Sequence, residues 1–174
     1  MTLRPLFKIL PPAVLAIHLA SCAGYEVGGR KPQALVGVDR VAIPMFANAT
    51  QHPRAETLAT SAVADALKRD GTYRLAGTDH ADAVLEASLL SIDYTMMRGT
   101  RFDTMLAEEF RNTVTIQWQL RDARDPTLVL ARGTSNGTSQ LFRDANLQTA
   151  RNNALNEAME NAAASLISQI ADTF

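Results

Sequence analysis

The chain's single cysteine lies where a specific modification would need it. Cys22 ends the sequence Leu19-Ala20-Ser21-Cys22, in which a branched apolar residue and two small residues precede the thiol. This is the pattern of a lipobox, whose thiol accepts a diacylglyceryl group before the leader is cleaved. Arg4, Lys8 and the mostly apolar run 9–19 are typical of a secretory signal peptide. We predict a signal peptide at 1–21 and a lipidated, palmitate-carrying Cys22; the alternative is an ordinary signal peptide with an incidental cysteine.

The predicted lipid would hold the mature protein on a membrane. The apolar run is too short for a transmembrane helix, which needs about 20 apolar residues. Two or three acyl chains anchor a protein stably, at about 0.8 kcal/mol for each buried methylene. Ala23 follows the cysteine, where an aspartate would favour retention in the inner membrane. We therefore expect a lipid-anchored protein on the periplasmic side of the outer membrane.

Residues with catalytic or metal-binding potential are few. His52 and His80 stand 28 residues apart in predicted loops, and neither an H-E-x-x-H motif nor a paired-cysteine motif occurs. Glu108 and Glu109 are adjacent, so on a strand their carboxylates point to opposite faces. We expect no enzyme, no metal and no cofactor. A periplasmic hydrolase is a third, weaker interpretation that no residue pattern supports.

Three arginines are the best candidates for a binding site. Arg98 and Arg101 fall in a predicted loop, 95–107, and Arg111 opens the next strand, so an antiparallel hairpin would bring them to one end of the sheet. Arginine binds phosphate through two parallel hydrogen bonds, so this cluster could hold a phosphorylated ligand. The alternative is that they are solvated and balance nearby acids. Without the leader the chain carries 15 basic and 18 acidic side chains, a net charge of −3 that gives no reason to expect nucleic-acid binding.

Hydrophobic periodicity predicts one α+β domain. Val114, Ile116, Trp118 and Leu120 alternate with polar residues, which indicates a strand with one buried face. Apolar residues at three- and four-residue spacing predict two helices, the first ending before Gly71 and the second capped by Asp144 or Asn146. The predicted elements are a strand at 38–45, a helix from 55, strands at 73–75, 83–94, 109–120 and 128–134, and a helix through 147–170.

This order, β-α-β-β-β-β-α, predicts two helices packed on one face of a four- to five-stranded, mostly antiparallel sheet. We assign residues 22–36 to a lipidated N-terminus and tether, and 37–174 to a single α/β sandwich domain. The loop 95–107 contains Met96, Met97, Phe102 and Met105, more apolar residues than a solvated loop needs. It could be a contact surface or a buried hairpin tip.

Several segments resemble the LPS-assembly lipoprotein (LptE) family. They are the cysteine followed by Gly24-Tyr25, VAIPMFANAT at 41–50, DGTYRL at 70–75, the segment 81–91, EFRNTVTIQWQL at 109–120 and the alanine-rich last helix. The resemblance implies a two-helix, four-stranded sandwich that sits as a plug inside the outer-membrane β-barrel LptD and helps deliver lipopolysaccharide to the cell surface. It also implies lipid-contacting basic residues near one sheet end, for which Arg98 and Arg101 are the nearest counterparts by position.

A second resemblance remains open. The segment 41–50 is also similar to lipoproteins of the LpoB and CsgG type, which would imply an activator of cell-wall synthesis or a component of secretion. A pore would need further strands with a lipid-facing apolar band, and 113–120 is the single candidate.

Overall fold

The computed structural model describes residues 31–98, 109–142 and 147–171. Its helices and strands, numbered here in chain order, are β1 (Arg40–Ala42), β2 (Ala47–Asn48), α1 (Ala55–Asp70), β3 (Arg74–Leu75), β4 (Ala83–Arg98), β5 (Glu109–Asp122), β6 (Val129–Phe142) and α2 (Leu147–Ala171). Short 3-10 turns occur at Gln33–Leu35 and Thr78–His80. The predicted α+β class is confirmed, and the observed element order adds one short strand, β2, to the predicted one.

The strands form one sheet in the order β3-β1-β4-β5-β6, with β2 also paired to β4. The three long strands are antiparallel, whereas β1, β2 and β3 make parallel pairs. We call the end where Ala83 pairs with Asp122 the base, and the end where Glu109 pairs with both Arg98 and Phe142 the tip. Strand β2 is parallel to β4, so β2 and β6 both run towards the tip. Helices α1 and α2, which follow these two strands, run back towards the base.

The buried face of the sheet is the one that alternation in β5 predicts. Val114, Ile116 and Leu120 are fully buried and Trp118 is 4% exposed, all within the core beneath the helices. Thr113, Thr115, Gln117 and Gln119, the residues between them, point to the other face. That second face is called the open face below, because both helices pack on the first.

Helix α1 follows the prediction closely. Gly71 ends it with φ of +77°, a left-handed conformation that suits glycine, and its N–H donates to the carbonyl of Leu67 at 3.1 Å. Ala55, Ala59 and Val63 are buried as expected. Leu58 follows the same three- and four-residue spacing, which predicts burial, but it is 41% exposed and lines a groove between the two helices.

Helix α2 lies unusually close to β6. A Cβ atom added to Gly137 would lie 2.0 Å from the Ala158 carbonyl oxygen and 2.2 Å from the Ala162 nitrogen. Asn112 and Ser139 donate side-chain hydrogen bonds of 3.3 and 2.5 Å to the Ala154 carbonyl. The backbones of the sheet and the helix therefore pack closely, with only small side chains between them. The predicted N-caps, Asp144 and Asn146, lie outside the described residues.

Several boundaries differ from the sequence prediction, and the strand predicted at 38–45 spans only Arg40–Ala42. Strand β4 continues to Arg98, so residues 95–98 are strand and not loop, while 99–107 lie outside the described residues. Strand β6 continues eight residues beyond the predicted Thr134, to Phe142. Residues 47 and 48, expected in a loop, form β2 against β4 after the chain passes Pro44.

Part of the segment 22–36, interpreted as a tether, packs against the domain. Leu35 is 1% exposed and belongs to the core. Lys31 donates to the carbonyl of Val38 at 2.8 Å and lies over the Tyr73 ring, 5.2 Å from its centroid. Tyr73 is itself buried, and its hydroxyl donates a hydrogen bond to the carbonyl of Ile170 at 3.2 Å. Burial, and to a smaller extent the charge of Asp70, raises the pKa of Tyr73 to about 12. These contacts close the base of the sandwich.

Candidate functional site

Two of the three predicted site arginines reach the tip of the sheet. The backbone of Arg98 pairs with Glu109, and Arg111 pairs with Thr95 and Gln140 two residues further along β5. Arg111 is exposed, and it lies on the open face because its neighbour Asn112 is buried under α2. Arg101 lies outside the described residues. The antiparallel hairpin assumed by the prediction is present, and ligand binding by these arginines stays a prediction.

The side chain of Arg111 borders a groove at the free edge of β6. Thr138, Ser139 and Gln140 of β6 line this groove, and Glu157 of α2 lines its other wall. The groove therefore has an arginine from the sheet on one side and a carboxylate from the helix on the other. Arginine can bind phosphate and a carboxylate can accept a hydrogen bond, so this groove could take a ligand that carries both a phosphate and a hydrogen-bond donor.

Arg151, near the start of α2, is a further basic residue at this end. Its guanidinium carbon lies 5.8 Å from the centroid of the Tyr94 ring, and the His52 ring lies 6.2 Å from the same centroid at a 47° tilt. Burial raises the pKa of Tyr94, while the charge of Arg151 opposes that shift. A cation above a half-buried aromatic ring is held in place by the ring's negative face.

Arg111 and Arg151 lie on opposite faces of the same sheet end. Tyr94 pairs with Asn112 and faces the helices, whereas Arg111 faces away from them. Alternation along β5 explains this separation, since adjacent residues of a strand point to opposite faces. The sequence carried no signal for Arg151, because its partner Tyr94 is 57 residues away in another element.

The tip also exposes apolar side chains. Met96 is 53% exposed, Met97 43% and Phe142 54%. The described part of the segment 95–107 is thus not buried, which favours a contact surface over a buried hairpin tip; Phe102 and Met105 lie outside the described residues. Methionine adapts its shape to different partners, so it suits such a surface.

The other residues that the sequence analysis singled out can be located in the structure only in part. Cys22, its lipobox and Glu108 lie outside the described residues. Across residues 31–98, 109–142 and 147–171, no group of three or more His, Cys, Asp or Glu side chains could hold a metal ion. Over the same ranges, the helices are too short or too polar to cross a bilayer.

The fold occurs in several solved bacterial structures. A minor lipoprotein of Acinetobacter baumannii aligns with a TM-score of 0.55 and 11% identity, over 78% of this chain and 94% of that one. A Xanthomonas campestris protein aligns with a TM-score of 0.55 and 13% identity, over 84% and 90%. A PelC variant of Paraburkholderia phytofirmans, a dodecamer, aligns with a TM-score of 0.50 and 19% identity, over 82% and 94%. At these identities the likeness is one of fold.

No curated protein matches the chain. The profile of the LptE family, described as lipopolysaccharide-assembly, matches residues 38–170. The match begins just before β1 and ends at the last turn of α2, so it includes every long element of the fold. The chain belongs to the LptE family of lipopolysaccharide-assembly proteins.

Proposed function

We propose that this protein is an outer-membrane lipoprotein, anchored through Cys22, that assists lipopolysaccharide assembly as the plug and partner of the β-barrel LptD. The observation that carries the proposal is the family match over residues 38–170. The lipobox at 19–22 supports the anchor. The exposed methionines and Phe142 at the tip support a role that depends on contact with other molecules.

The proposed role needs no chemical step from this chain. The protein would occupy the lumen of the barrel and leave a passage for lipopolysaccharide beside it. Arg98, Arg101 and Arg111 would contact the phosphate groups of that lipid, because guanidinium groups bind phosphate through paired, charge-assisted hydrogen bonds. Met96 and Met97 directly precede Arg98 on β4, where they could contact acyl chains or the barrel wall.

The partnership is tested by purifying the tagged, lipidated protein from detergent-solubilised outer membranes. We expect a large β-barrel protein to copurify in near-stoichiometric amount, and depletion of the lipoprotein to reduce lipopolysaccharide at the cell surface. Recovery of the lipoprotein alone under gentle conditions would contradict the proposal. Cell-wall defects with normal surface lipopolysaccharide would instead favour an LpoB-like activator.

The lipid-contacting arginines need a separate test. We expect the double variant Arg98→Glu with Arg101→Glu, and the single variant Arg111→Glu, each to weaken lipopolysaccharide binding by at least about tenfold, because each loses charge-assisted hydrogen bonds and gains repulsion. Arg124→Glu, an exposed arginine in the turn at the base, is the matched control and should bind normally. Unchanged binding in both the double variant and Arg111→Glu would show that these arginines are solvated surface residues.

A further inference from the structure

Strand β6 is the long free edge of the sheet. In the order β3-β1-β4-β5-β6 it lies last and pairs with β5 alone among the strands that the structure describes. The opposite edge strand, β3, has 2 residues, whereas β6 has 14. An unpaired strand offers its outward N–H and C=O groups to any strand that approaches, so a long edge needs protection against strand addition.

The usual protection is missing from most of this edge. Charged side chains, proline, β-bulges and short length are the common devices that keep an edge strand from pairing. From Gly133 to Phe142, β6 contains neither a charged residue nor a proline. Its pairing with β5 is also continuous over this stretch, from Gly133 opposite Trp118 to Phe142 opposite Glu109. The strand itself therefore does little to stop a further strand from adding.

Side chains of α2 occupy the edge instead. The Asn161 amide donates a hydrogen bond to the Thr138 carbonyl at 2.8 Å, and the Gln169 amide donates one to the Thr134 carbonyl at 3.5 Å. The Gln169 amide also donates to the Ser165 hydroxyl at 3.2 Å, which keeps it on the helix side of the edge. Backbone groups of an antiparallel strand alternate in direction, so these two carbonyls are among those that point away from β5. They are acceptors that an added strand would need.

The two amides are spaced to match the strand. Eight residues of helix separate Asn161 from Gln169, a rise of about 12 Å, and four residues of strand separate Thr138 from Thr134, about 13 Å. This match requires α2 to lie along β6, and the close approach of the helix backbone at Gly137 fixes it there. A further strand would lie about 4.8 Å beyond β6. The two amides reach into that space to meet the carbonyls.

We propose that Asn161 and Gln169 close the free edge of β6 and thereby prevent a second copy of this chain from pairing with it. Two copies related by a two-fold axis would present the same edge to each other, so β6 against β6 is the self-complementary contact that an open edge allows. Such a contact would join two sheets into one continuous sheet. The inference is independent of the barrel partnership, because it concerns what the chain excludes when no partner is bound.

Removal of the two amides tests this closure. The mature, lipidated chain is purified in detergent, and its oligomeric state is measured by light scattering over a series of concentrations. The wild-type chain should remain a monomer. Asn161→Ala with Gln169→Ala should lower the dissociation constant of the dimer by about tenfold or more, because the edge acceptors become available. Each single variant should give a smaller change in the same direction.

Gln148→Ala with Asn152→Ala is the matched control. These two exposed amides also belong to α2, near its start, and Gln148 donates to Asn152 at 3.4 Å. The control therefore removes the same two residue types from the same helix. It should remain a monomer at every concentration.

Asn136→Pro, added to the double alanine variant, separates edge pairing from other kinds of association. Asn136 lies midway between Thr134 and Thr138, so its N–H points away from β5 and a proline there removes no hydrogen bond of the sheet. Proline offers no N–H to an incoming strand, so the triple variant should return to the monomer.

Two results would overturn the inference. One is a dimer that persists in the triple variant, because it could not depend on the free edge of β6. The other is a double alanine variant that keeps the wild-type circular dichroism spectrum and stays a monomer at every concentration. Even with a lower urea midpoint, that variant would show that the two amides only fasten α2 to the sheet.

Discussion

Asp82 shows how a single residue joins strands that no hairpin connects. Its carboxylate accepts hydrogen bonds from the backbone N–H groups of Asp39 and Arg40, at 3.2 and 2.9 Å, and from the Arg40 guanidinium at 2.9 Å. These bonds fasten the start of β1 to the residue before β4. The Arg40 side chain, followed by its backbone N–H, holds the pKa of Asp82 well below its usual range.

The depressed pKa predicts an acid-dependent stability. A carboxyl group with a lowered folded-state pKa stabilises the protein fully above its ordinary value of 3.8, and that contribution is lost as pH falls through the folded-state pKa. We expect Asp82→Asn to lower the urea midpoint at pH 7 and the difference from wild type to shrink below about pH 4. Urea unfolding between pH 3 and 8 measures this, and a difference that stays constant with pH would contradict it.

At the scale of elements, the contact between α2 and β6 depends on small side chains. Gly133, Ser135, Gly137 and Ser139 all face the helix, and Ala158 and Ala162 face them from α2. A Cβ at Gly133 would lie 2.7 Å from a ring atom of Trp118, a side chain that can shift, whereas at Gly137 it would meet helix backbone. The helix position is therefore set most strictly at Gly137.

Gly137→Ala is expected to destabilise the protein by more than the 1–3 kcal/mol or so that is usual for an over-packed core, because the helix backbone must move as a unit. Gly37→Ala is the matched control, since a Cβ there meets nothing within 4 Å, and it should unfold at the wild-type denaturant concentration. Chemical unfolding followed by circular dichroism compares the two. Equal midpoints for both variants would show that α2 does not approach β6 this closely.

For the whole molecule, the proposed lipid anchor would give the domain a direction. Lys31 is held at the base, nine residues after Cys22, and nine extended residues span about 30 Å. Strand β4, with 16 residues, is roughly 50 Å long from base to tip. An anchored protein would therefore keep its base near the periplasmic leaflet, and its arginine-bearing tip could extend away from the anchor.

We expect Cys22→Ala protein to appear in the soluble fraction without incorporated fatty acid, while its domain unfolds like wild type. The reason is that the proposed anchor would provide the membrane attachment. Ala23→Asp is the control: it should still incorporate labelled fatty acid but fractionate with the inner membrane. Radiolabelled palmitate and membrane sedimentation provide the measurements. A Cys22→Ala protein that sediments with membranes and carries label would contradict the proposed anchor.

Local patterns predicted much of this fold. Alternation along 113–120 identified the buried face of β5, because a strand's side chains repeat every two residues. Apolar spacing and Gly71 located α1 and its end, because a helix that terminates in a left-handed residue favours glycine. The position of the arginines Arg98 and Arg111 at one sheet end also followed from an antiparallel hairpin.

Long-range packing decided what these patterns could not. Asn136-Gly137 is a pair typical of turns, yet it is extended within β6. Gly137 is required there because any side chain would collide with the α2 backbone. Bulges after Leu89 and Met96 shift the alternation of β4, so no simple count along that strand gives its faces. The sequence alone thus determined the repeat and the buried side of β5 and, apart from Leu58, of α1, since these depend on neighbours along the chain. Only the tertiary structure decided that Arg151 meets Tyr94, because that contact depends on how distant elements pack.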